Sequence, residues 1–157
     1  MSAITLRPAA AADAPELEAL FRDTILTVNR ADYNAAQVQA WAGRAARPDV
    51  FQQRIEEQHF LVGERHGAIA GFASVTLDGT HIDLLYVHRN HQRCGVAAAL
   101  IAALLVYARS QGAATVTSDV SITARPFFEK QGFRVLQEQT VAVSGVTLTN
   151  YKMIRRC

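Results

Sequence analysis

The strand-to-helix crossing at residues 84–108, LLYVHRNHQRCGVAAALIAALLVYA, constrains the fold more than any other stretch of this chain. Its first residues form an apolar run typical of a buried strand, and its last residues form a long apolar run with helical spacing. We expect the helix to run from about Gly95 to Gln111 and to end at Gly112, because glycine is the usual residue just beyond a helix C-terminus. The basic, polar segment between strand and helix therefore forms a tight corner.

Such a corner can bind an anion. A helix N-terminus leaves backbone N–H groups without partners and carries the positive end of the helix dipole. Gly95, Ala97 and Ala98 keep side-chain bulk low at the helix start, and Arg93 places a positive charge just before it. The corner is thus a candidate pyrophosphate site, although a glycine there could also serve only the tight turn. The chain contains neither the P-loop motif nor the G-x-G-x-x-G dinucleotide motif, which argues against a P-loop ATPase and a Rossmann dinucleotide site.

The hydrophobic periodicity of the remaining chain predicts an α/β (α+β) fold. Its order is one strand, two or three helices, three antiparallel strands, the long helix, a strand, a short helix and a closing hairpin. Asp13 and Asn34 are the candidate caps of the first two helices, and His66-Gly67 and Ser144-Gly145 are the candidate hairpin turns. Since helices separate some of the strands, we expect a mixed sheet of about seven strands covered by helices on both faces.

Composition places this sheet in one compact domain spanning residues 1–157. Half of the residues are hydrophobic, and a net charge of +2 is too small to predict a nucleic-acid partner. No apolar run reaches the roughly 18 residues that indicate a membrane span, and the N-terminus does not resemble a signal peptide. With only Cys94 and Cys157, a disulfide framework is not expected, so we predict a soluble protein of the reducing cytoplasm.

Two motifs carry a family resemblance. The segment Gln92-Arg93-Cys94-Gly95-Val96-Ala97 resembles the Q/R-x-x-G-x-G/A signature of the GCN5-related N-acetyltransferases. Downstream, residues 121–133, SITARPFFEKQGF, are similar to the N-x-x-A-x-x-F-Y-E-K-x-G-F segment of the same family. The motifs stand in the expected order, and the predicted element order resembles the family fold over nearly the whole chain. The resemblance further implies a mostly antiparallel sheet whose fourth and fifth strands splay apart.

The resemblance implies that acetyl-coenzyme A is the co-substrate and that no metal is required. The pyrophosphate would lie on the loop and helix start, and the pantetheine arm would pair with the backbone of the preceding strand like an added strand. A backbone N–H near Leu85 or Tyr86 would meet the oxyanion. The cofactor-binding residues implied in this way are Leu85, Tyr86, Val87, Gln92, Arg93, Cys94, Gly95, Val96, Ala97, Ala98, Ser121 and Phe128.

His81 and Asp83 are the candidate catalytic residues. An alkyl amine is mostly an ammonium ion at neutral pH, so acetyl transfer needs a base or an ordered water near the thioester. Strand alternation places His81 and Asp83 on one face of the strand, close to the cofactor edge, and histidine is the side chain best suited to proton transfer near neutral pH. In relatives, this strand supplies the general base. Either residue, or a water that they orient, could act as the base.

Two positions depart from the family pattern. Phe128 occupies the position of a tyrosine that protonates the departing thiolate in many relatives, and phenylalanine cannot donate a proton. Ser121 replaces the asparagine of the same segment. Either another donor, namely Ser118, Ser121, Tyr151 or water, replaces the missing tyrosine, or the thiolate leaves without a proton donor. These departures also leave open a different function, that of a non-catalytic acyl-coenzyme A binding or sensor module.

The family resemblance places the acceptor site between the N-terminal helices and the closing hairpin. The residues expected there are Phe21, Thr24, Asn29, Tyr33, Trp41 and Tyr151. The acceptor would be a primary amine of a small molecule or peptide, and the sequence does not separate an amino acid, a polyamine, an antibiotic or a protein N-terminus. We expect no nucleic-acid or membrane partner and a monomer or homodimer.

Overall fold

The structure is a computed structural model that describes residues 3–44 and 48–157. Within these residues seven strands form one sheet in the order β1-β2-β3-β4-β5-β7-β6. The strands are β1 (Thr5–Pro8), β2 (Gln58–Arg65), β3 (Ala68–Thr76), β4 (His81–Val87), β5 (Thr115–Ser121), β6 (Arg134–Val143) and β7 (Val146–Arg156). The α-helices are α1 (Ala14–Thr27), α2 (Ala35–Gly43), α3 (Pro48–Glu57), α4 (Val96–Ser110) and α5 (Arg125–Lys130).

Two hydrophobic cores lie on opposite faces of the sheet, so the predicted mixed sheet with helices on both faces is confirmed. On one face α1, α2 and α3 bury an aromatic cluster in which Phe51 contacts Phe21 and Phe72 edge-on, with ring centroids 5.6 and 5.7 Å apart. On the other face α4 buries Leu100 and Leu104 completely against the sheet. In the part of the chain that the structure describes, no helix has the length and apolarity needed to cross a membrane.

β4 and β5 are the only parallel neighbours among the strands described, and they soon separate. Their register covers two positions, His81 opposite Thr117 and Ile82 opposite Ser118. Beyond these positions β5 pairs only with β7, so the splay predicted between the fourth and fifth strands is confirmed. The splay leaves one edge of β4 open from Asp83 to its end.

A bulge in β4 lies at the start of this open edge. Against β3, Ile82 pairs with Val75 and Leu84 pairs with Ser74, so Asp83 is the extra residue that has no partner in the register. A bulge of this kind bends the strand and redirects the side chain at that point. Simple alternation along the sequence, which placed Asp83 in a regular strand, does not predict it.

The two predicted hairpin turns are confirmed. His66 and Gly67 connect β2 to β3 with φ of 54° and 73°, and Ser144 and Gly145 connect β6 to β7 with φ of 45° and 84°. Two successive residues with positive φ are the mark of the type I′ turn, whose twist matches that of the flanking strands.

One predicted helix cap is confirmed and the other is wrong. The Asn34 side chain accepts a hydrogen bond from the Gln37 backbone N–H at 2.9 Å, as expected of the α2 cap. Asp13 immediately precedes α1 but does not cap it, because its carboxylate instead binds the Arg7 guanidinium at 2.8 and 2.9 Å and the Ala10 backbone N–H at 2.8 Å.

Candidate active site

The open edge of β4, where β4 and β5 have separated, leads to the N-terminus of α4. Gly95 is the residue before the helix and has φ of 86°, and Arg93 also has a positive φ of 59°. The first intrahelical hydrogen bond runs from the Ala99 N–H to the Gly95 carbonyl at 3.0 Å. The N–H groups of Val96–Ala98 therefore precede the hydrogen-bonded helix and point out of its N-terminus, where an anion can accept from them.

The loop before α4 is tied to the end of β4. The Gln92 side chain donates from Nε2 to the Val87 carbonyl at 2.6 Å, and Thr24 of α1 donates to the same carbonyl at 3.5 Å. Cys94 is exposed and its thiol lies 3.3 Å from the Gln92 carbonyl. The Gln92 amide thus fixes the position of the loop relative to the strand. The Val87 carbonyl already accepts hydrogen bonds from Gln92 and Thr24.

The backbone groups that face the open edge follow from the ladder between β3 and β4. The His88 N–H donates to the Ala70 carbonyl at 2.8 Å, and hydrogen-bonded positions alternate along an antiparallel pair. Tyr86 therefore turns its N–H and C=O toward β3, whereas Leu85 and Val87 turn theirs toward the splay. Of the two positions expected near the oxyanion, only Leu85 presents its backbone N–H to the open edge.

His81 lies at the end of β4 that pairs with β5, before the two strands separate. Its Nδ1 is 2.8 Å from the Thr117 hydroxyl, and its Nε2 is 3.8 Å from a carboxylate oxygen of Asp119. About a third of the side chain is exposed. The imidazole is thus held by the side chains of β5 at the point where β5 leaves β4.

Asp83 contacts a different set of neighbours. Its Oδ2 accepts a hydrogen bond from Gln58 Nε2 at 2.9 Å and lies 3.5 Å from the Arg54 guanidinium. Gln58 is the first residue of β2 and Arg54 belongs to α3, so the bulge aims the carboxylate toward the α3 side of the sheet. Its polar partners are thus distinct from those of His81, which lie on β5.

The aromatic side chain of Tyr86 connects β4 to the N-terminal helices. Its ring contacts Phe21 at a centroid distance of 4.8 Å, and the Trp41 ring contacts Tyr33 at 5.3 Å. Burial raises the pKa of the Tyr86 phenol, as does the Asp83 charge, while a hydrogen bond with Trp41 and the Arg54 charge oppose the shift. Tyr86 therefore stays neutral at ordinary pH. Of the residues expected in the acceptor wall, Phe21, Tyr33 and Trp41 belong to this aromatic group, but Phe21 and Tyr33 are buried core residues and only Trp41 is partly exposed.

Tyr33 joins the helices to the second half of the sheet. Its hydroxyl donates to the Thr149 carbonyl of β7 at 2.6 Å and accepts from the Ile122 N–H at 2.9 Å. Burial is the main cause that raises the pKa of this phenol. Nearby, the Asn29 amide donates to the Ser121 hydroxyl oxygen at 3.5 Å. Tyr33 and Asn29 therefore border the far side of the splay.

Tyr151 and Phe128 pack with the other core. The Arg125 guanidinium lies over the Tyr151 ring at 4.5 Å, and this ring packs on the face that carries α4 and α5. The structure therefore does not place Tyr151 with the aromatic group around Tyr86. Phe128 is 3% exposed and contacts Phe133 edge-on at 5.0 Å, so it is a packed core residue.

The two candidate serines differ in what their hydroxyl groups can donate to. Ser118 is buried and donates to the Ile82 carbonyl at 2.9 Å, so its hydroxyl proton is already used in a hydrogen bond. Ser121 accepts from the Ala124 N–H at 3.0 Å and from Asn29, and no described residue accepts its own hydroxyl proton. The Ser121 proton is thus available to a ligand in the splay.

Sequence reasoning missed the side chains that surround the candidate base. Thr117 and Asp119 contact His81 from β5, and Gln58 and Arg54 contact Asp83. The alternation in TVTSD predicts that Thr117 and Asp119 share a face, but the pairing of β5 with β4 depends on tertiary structure. No group of three or more His, Cys, Asp or Glu side chains in residues 3–44 and 48–157 is arranged to hold a metal ion.

Comparisons with known proteins agree with this architecture. A family model described as an acetyltransferase (GNAT) domain matches residues 29–155. The chain is 31% identical over 153 residues to YafP, an uncharacterised N-acetyltransferase of Escherichia coli (strain K12), covering 98% of this chain and 96% of YafP. It also resembles the crystal structure of a GCN5-related N-acetyltransferase from Rhodopseudomonas palustris, with a TM-score of 0.95, 36% identity, and coverage of 100% and 98% of the two chains. The chain belongs to the GCN5-related N-acetyltransferase (GNAT) family and is an acyltransferase.

A more distant solved structure shows the same fold with a ligand. The PaiA N-acetyltransferase of Thermoplasma acidophilum, solved in complex with coenzyme A, has a TM-score of 0.80 and 14% identity, with 99% of each chain covered.

Proposed function

We propose that this protein transfers the acetyl group of acetyl-coenzyme A to a primary amine of a small molecule or peptide. The observation that carries the proposal is the open edge of β4 lying directly before the unpaired N–H groups of α4. An unpaired strand edge binds an extended amide-containing chain, and a helix N-terminus binds a phosphate group. Acetyl-coenzyme A has both parts in that order, and residues Gln92 to Ala98 would hold its pyrophosphate.

The chain supplies a base and an oxyanion donor on either side of the thioester position. His81, Asp83 or a water that they orient removes a proton from the ammonium, and the free amine attacks the thioester carbonyl carbon. The resulting oxyanion accepts a hydrogen bond from the Leu85 N–H, which faces the splay. The carbon–sulfur bond then breaks, giving an amide and the thiolate of coenzyme A.

Protonation of the thiolate does not depend on Phe128. Phenylalanine has no proton to give, and Ser118 already donates to Ile82. The Ser121 hydroxyl has two N–H donors and no acceptor among the described residues, so we assign it the role of proton donor together with water. A thiol with a pKa near 8.5 is a tolerable leaving group, so a weak donor suffices.

The acceptor would enter on the side of the aromatic group around Tyr86. Trp41 and Tyr86, which are half-buried, provide apolar surface there, and the buried Phe21 and Tyr33 pack against them. Thr24 and Asn29 border the same region through their contacts with Val87 and Ser121. The geometry favours a primary amine with an apolar part beside it.

The test is an acceptor screen that measures both thiol release and acetylated product by mass spectrometry. The panel includes amino acids, polyamines, aminoglycosides and peptide N-termini, and we expect at least one to be acetylated. Replacing His81 by Ala or Asp83 by Asn should lower kcat by about 10²-fold or more for whichever residue is the base. Tight coenzyme A binding without any acetylated product would instead support the non-catalytic binding module.

A pair of glycine variants isolates cofactor binding. Gly95→Glu puts a bulky anion at the helix start, whereas Gly112→Glu makes the same change at a residue of similar φ, 80°, with open space around it at the other end of α4. We expect only Gly95→Glu to abolish coenzyme A binding in calorimetry. Equal binding by both variants would contradict the assigned pyrophosphate position.

A further inference from the structure

We propose that Thr117 and Asp119 are positioning residues that make His81 the base of the transfer. This inference rests on the proposed function and assigns the base to Nε2 of His81. Both positioning residues belong to β5, and both contact the imidazole from the far side of the splay, one at each ring nitrogen. Their effects on the base differ, because Thr117 acts on the neutral imidazole and Asp119 on the protonated one.

Thr117 fixes which ring nitrogen carries the proton. Its hydroxyl oxygen lies 2.8 Å from His81 Nδ1 and 3.3 Å from the Thr80 carbonyl. A hydroxyl has one proton, and a carbonyl can only accept, so the bond to Thr80 uses the Thr117 proton. Both bonds form together only when Nδ1 carries a proton and donates it to Thr117.

This arrangement leaves Nε2 with a free lone pair in the neutral imidazole. In the opposite tautomer, Nδ1 would compete with the Thr80 carbonyl for the single hydroxyl proton, and one bond would be lost. The Thr80–Thr117 pair therefore favours the Nδ1–H tautomer, in which Nε2 can accept a proton. The N–H bond of the ammonium breaks, an N–H bond forms at Nε2, and the amine keeps the electron pair with which it attacks the thioester.

Asp119 acts after this step. Its Oδ2 lies 3.8 Å from Nε2, and its Oδ1 accepts from Gln139 Nε2 at 2.9 Å, which holds the carboxylate in place. Once Nε2 carries the proton, the imidazolium faces an opposite charge, and the half-exposed carboxylate offers the proton a route to solvent.

The other charged groups near the imidazole lie on several elements. Lys152 of β7 is directly opposite Asp119 in the register, and Arg54 of α3 pairs with Asp83. Since Arg54 offsets the charge of Asp83, the carboxylate that faces the His81 imidazole most directly is Asp119.

Three variants and one spectrum test the inference. In ¹⁵N NMR of the wild-type protein above the titration of the ring, His81 should be the Nδ1–H tautomer. Thr117→Val should remove that preference and lower kcat by about tenfold without changing KM for acetyl-coenzyme A, and Thr117→Ser should restore both. Asp119→Asn should lower kcat by up to about fivefold without changing KM for acetyl-coenzyme A, because the imidazolium formed in the transfer loses the carboxylate that faces it. Thr115→Val is the matched control, on the same strand and with an exposed side chain.

The outcomes separate this inference from the proposed function. A wild-type His81 in the Nε2–H tautomer would overturn the inference even if Thr117→Val fails to fold. Unchanged kcat in folded Thr117→Val, or unchanged kcat in Asp119→Asn, would also overturn it while acetylation continued. Loss of the proposed function would appear separately, as a wild-type protein that acetylates no amine.

Discussion

Ser121 and Phe128 each replace a residue of the family pattern, and the structure gives the two side chains different roles. Phe128 is fully packed between α5 and the sheet, so its contribution is to the core, where it contacts Phe133. Ser121 lies at the end of β5, beyond the last pair with β4, and its proton has no acceptor among the described residues. The two substitutions therefore separate packing from proton donation, which a tyrosine would combine.

Ser121→Ala should lower kcat by up to about tenfold, because the departing thiolate loses its proton donor and relies on water. The variant also loses the bond to the Ala124 N–H, so Ser121→Thr is needed as a second variant that keeps the hydroxyl. Steady-state kinetics should show recovery in Ser121→Thr and no change in Ser110→Ala, whose hydroxyl bonds to Tyr107 on the surface. Equal kcat in Ser121→Ala and wild type would remove Ser121 from the mechanism.

Among the elements, β3 and α4 determine how closely the anion-binding corner approaches the sheet. A Cβ placed on Gly71 of β3 would lie 2.7 Å from the Tyr86 carbonyl oxygen and 3.2 Å from the side chains of Val87 and Val96. Gly71 therefore permits the first turn of α4 to pack against the end of β4. The open edge of β4 and the N-terminus of α4 thus come close together beside this residue.

Gly71→Ala should push the backbone of β4 and the start of α4 away from β3. The nearest atom is the Tyr86 carbonyl oxygen, which belongs to the backbone and cannot rotate away. We expect a loss of about 1–3 kcal/mol in the free energy of unfolding and a clear loss of coenzyme A affinity. Gly43→Ala makes the same chemical change at the end of α2, where no atom of the described residues lies within 4 Å, and should be neutral or slightly stabilising. Urea unfolding and calorimetry measure both quantities; unchanged affinity in Gly71→Ala would show that this close approach does not position the site.

The ion pair between Arg7 of β1 and Asp13, which precedes α1, should make the free energy of unfolding depend on pH. The Arg7 guanidinium holds the pKa of Asp13 below its ordinary 3.8, against the opposing effect of burial. The carboxylate therefore stabilises the fold above the unfolded-state pKa, and this contribution is lost as pH falls through the lower folded pKa. Arg7→Gln should cost roughly 1 kcal/mol at pH 7 and almost nothing near pH 2, since Arg7 is partly exposed.

Urea unfolding of Arg7→Gln at the two pH values measures this difference. Arg109→Gln is the control, because Arg109 is exposed and no described residue forms an ion pair with it. A loss of stability in Arg7→Gln that is the same at pH 2 and pH 7 would mean that the contribution is packing by the arginine stem rather than charge.

Local pattern predicted the elements whose signals lie within a few residues. Asn34 and Gln37 cap α2 through neighbouring groups, and the confirmed turns are likewise local. Asp13 was misassigned because its guanidinium partner lies on β1, where no helix signal points to it. The bulge at Asp83 and the contacts of His81 with β5 arise from strand pairing over long sequence separations, so local pattern could single out His81 and Asp83 as candidates but could not predict the side chains that contact them.

At the scale of the whole molecule, the cleft between β4 and β5 exists because the two parts of the sheet are joined over a short distance only. β4 and β5 share two register positions, and Ser118 adds a bond to the Ile82 carbonyl. On the other side of the cleft, the segment between α1 and α2 reaches across to the second part of the sheet. Tyr33 binds the Thr149 carbonyl and the Ile122 N–H, and Gln37 binds the Thr147 carbonyl at 2.9 Å.

Tyr33→Phe should loosen this second connection and so affect the acceptor more than the cofactor. The variant removes the hydroxyl that bonds to a half-buried backbone carbonyl and a half-buried backbone N–H, which we expect to cost about 1 kcal/mol in the free energy of unfolding. Because the lost bonds position the wall beside the splay and leave the α4 corner intact, KM for the amine should rise while the Kd of coenzyme A changes little. Tyr107→Phe is the matched control, since it removes one bond, 2.8 Å long, to the exposed Leu77 carbonyl away from the cleft. An equal rise in the amine KM and the coenzyme A Kd for Tyr33→Phe would contradict this prediction. It would mean that the bonds of Tyr33 hold the two parts of the sheet together and do not act on the acceptor side alone.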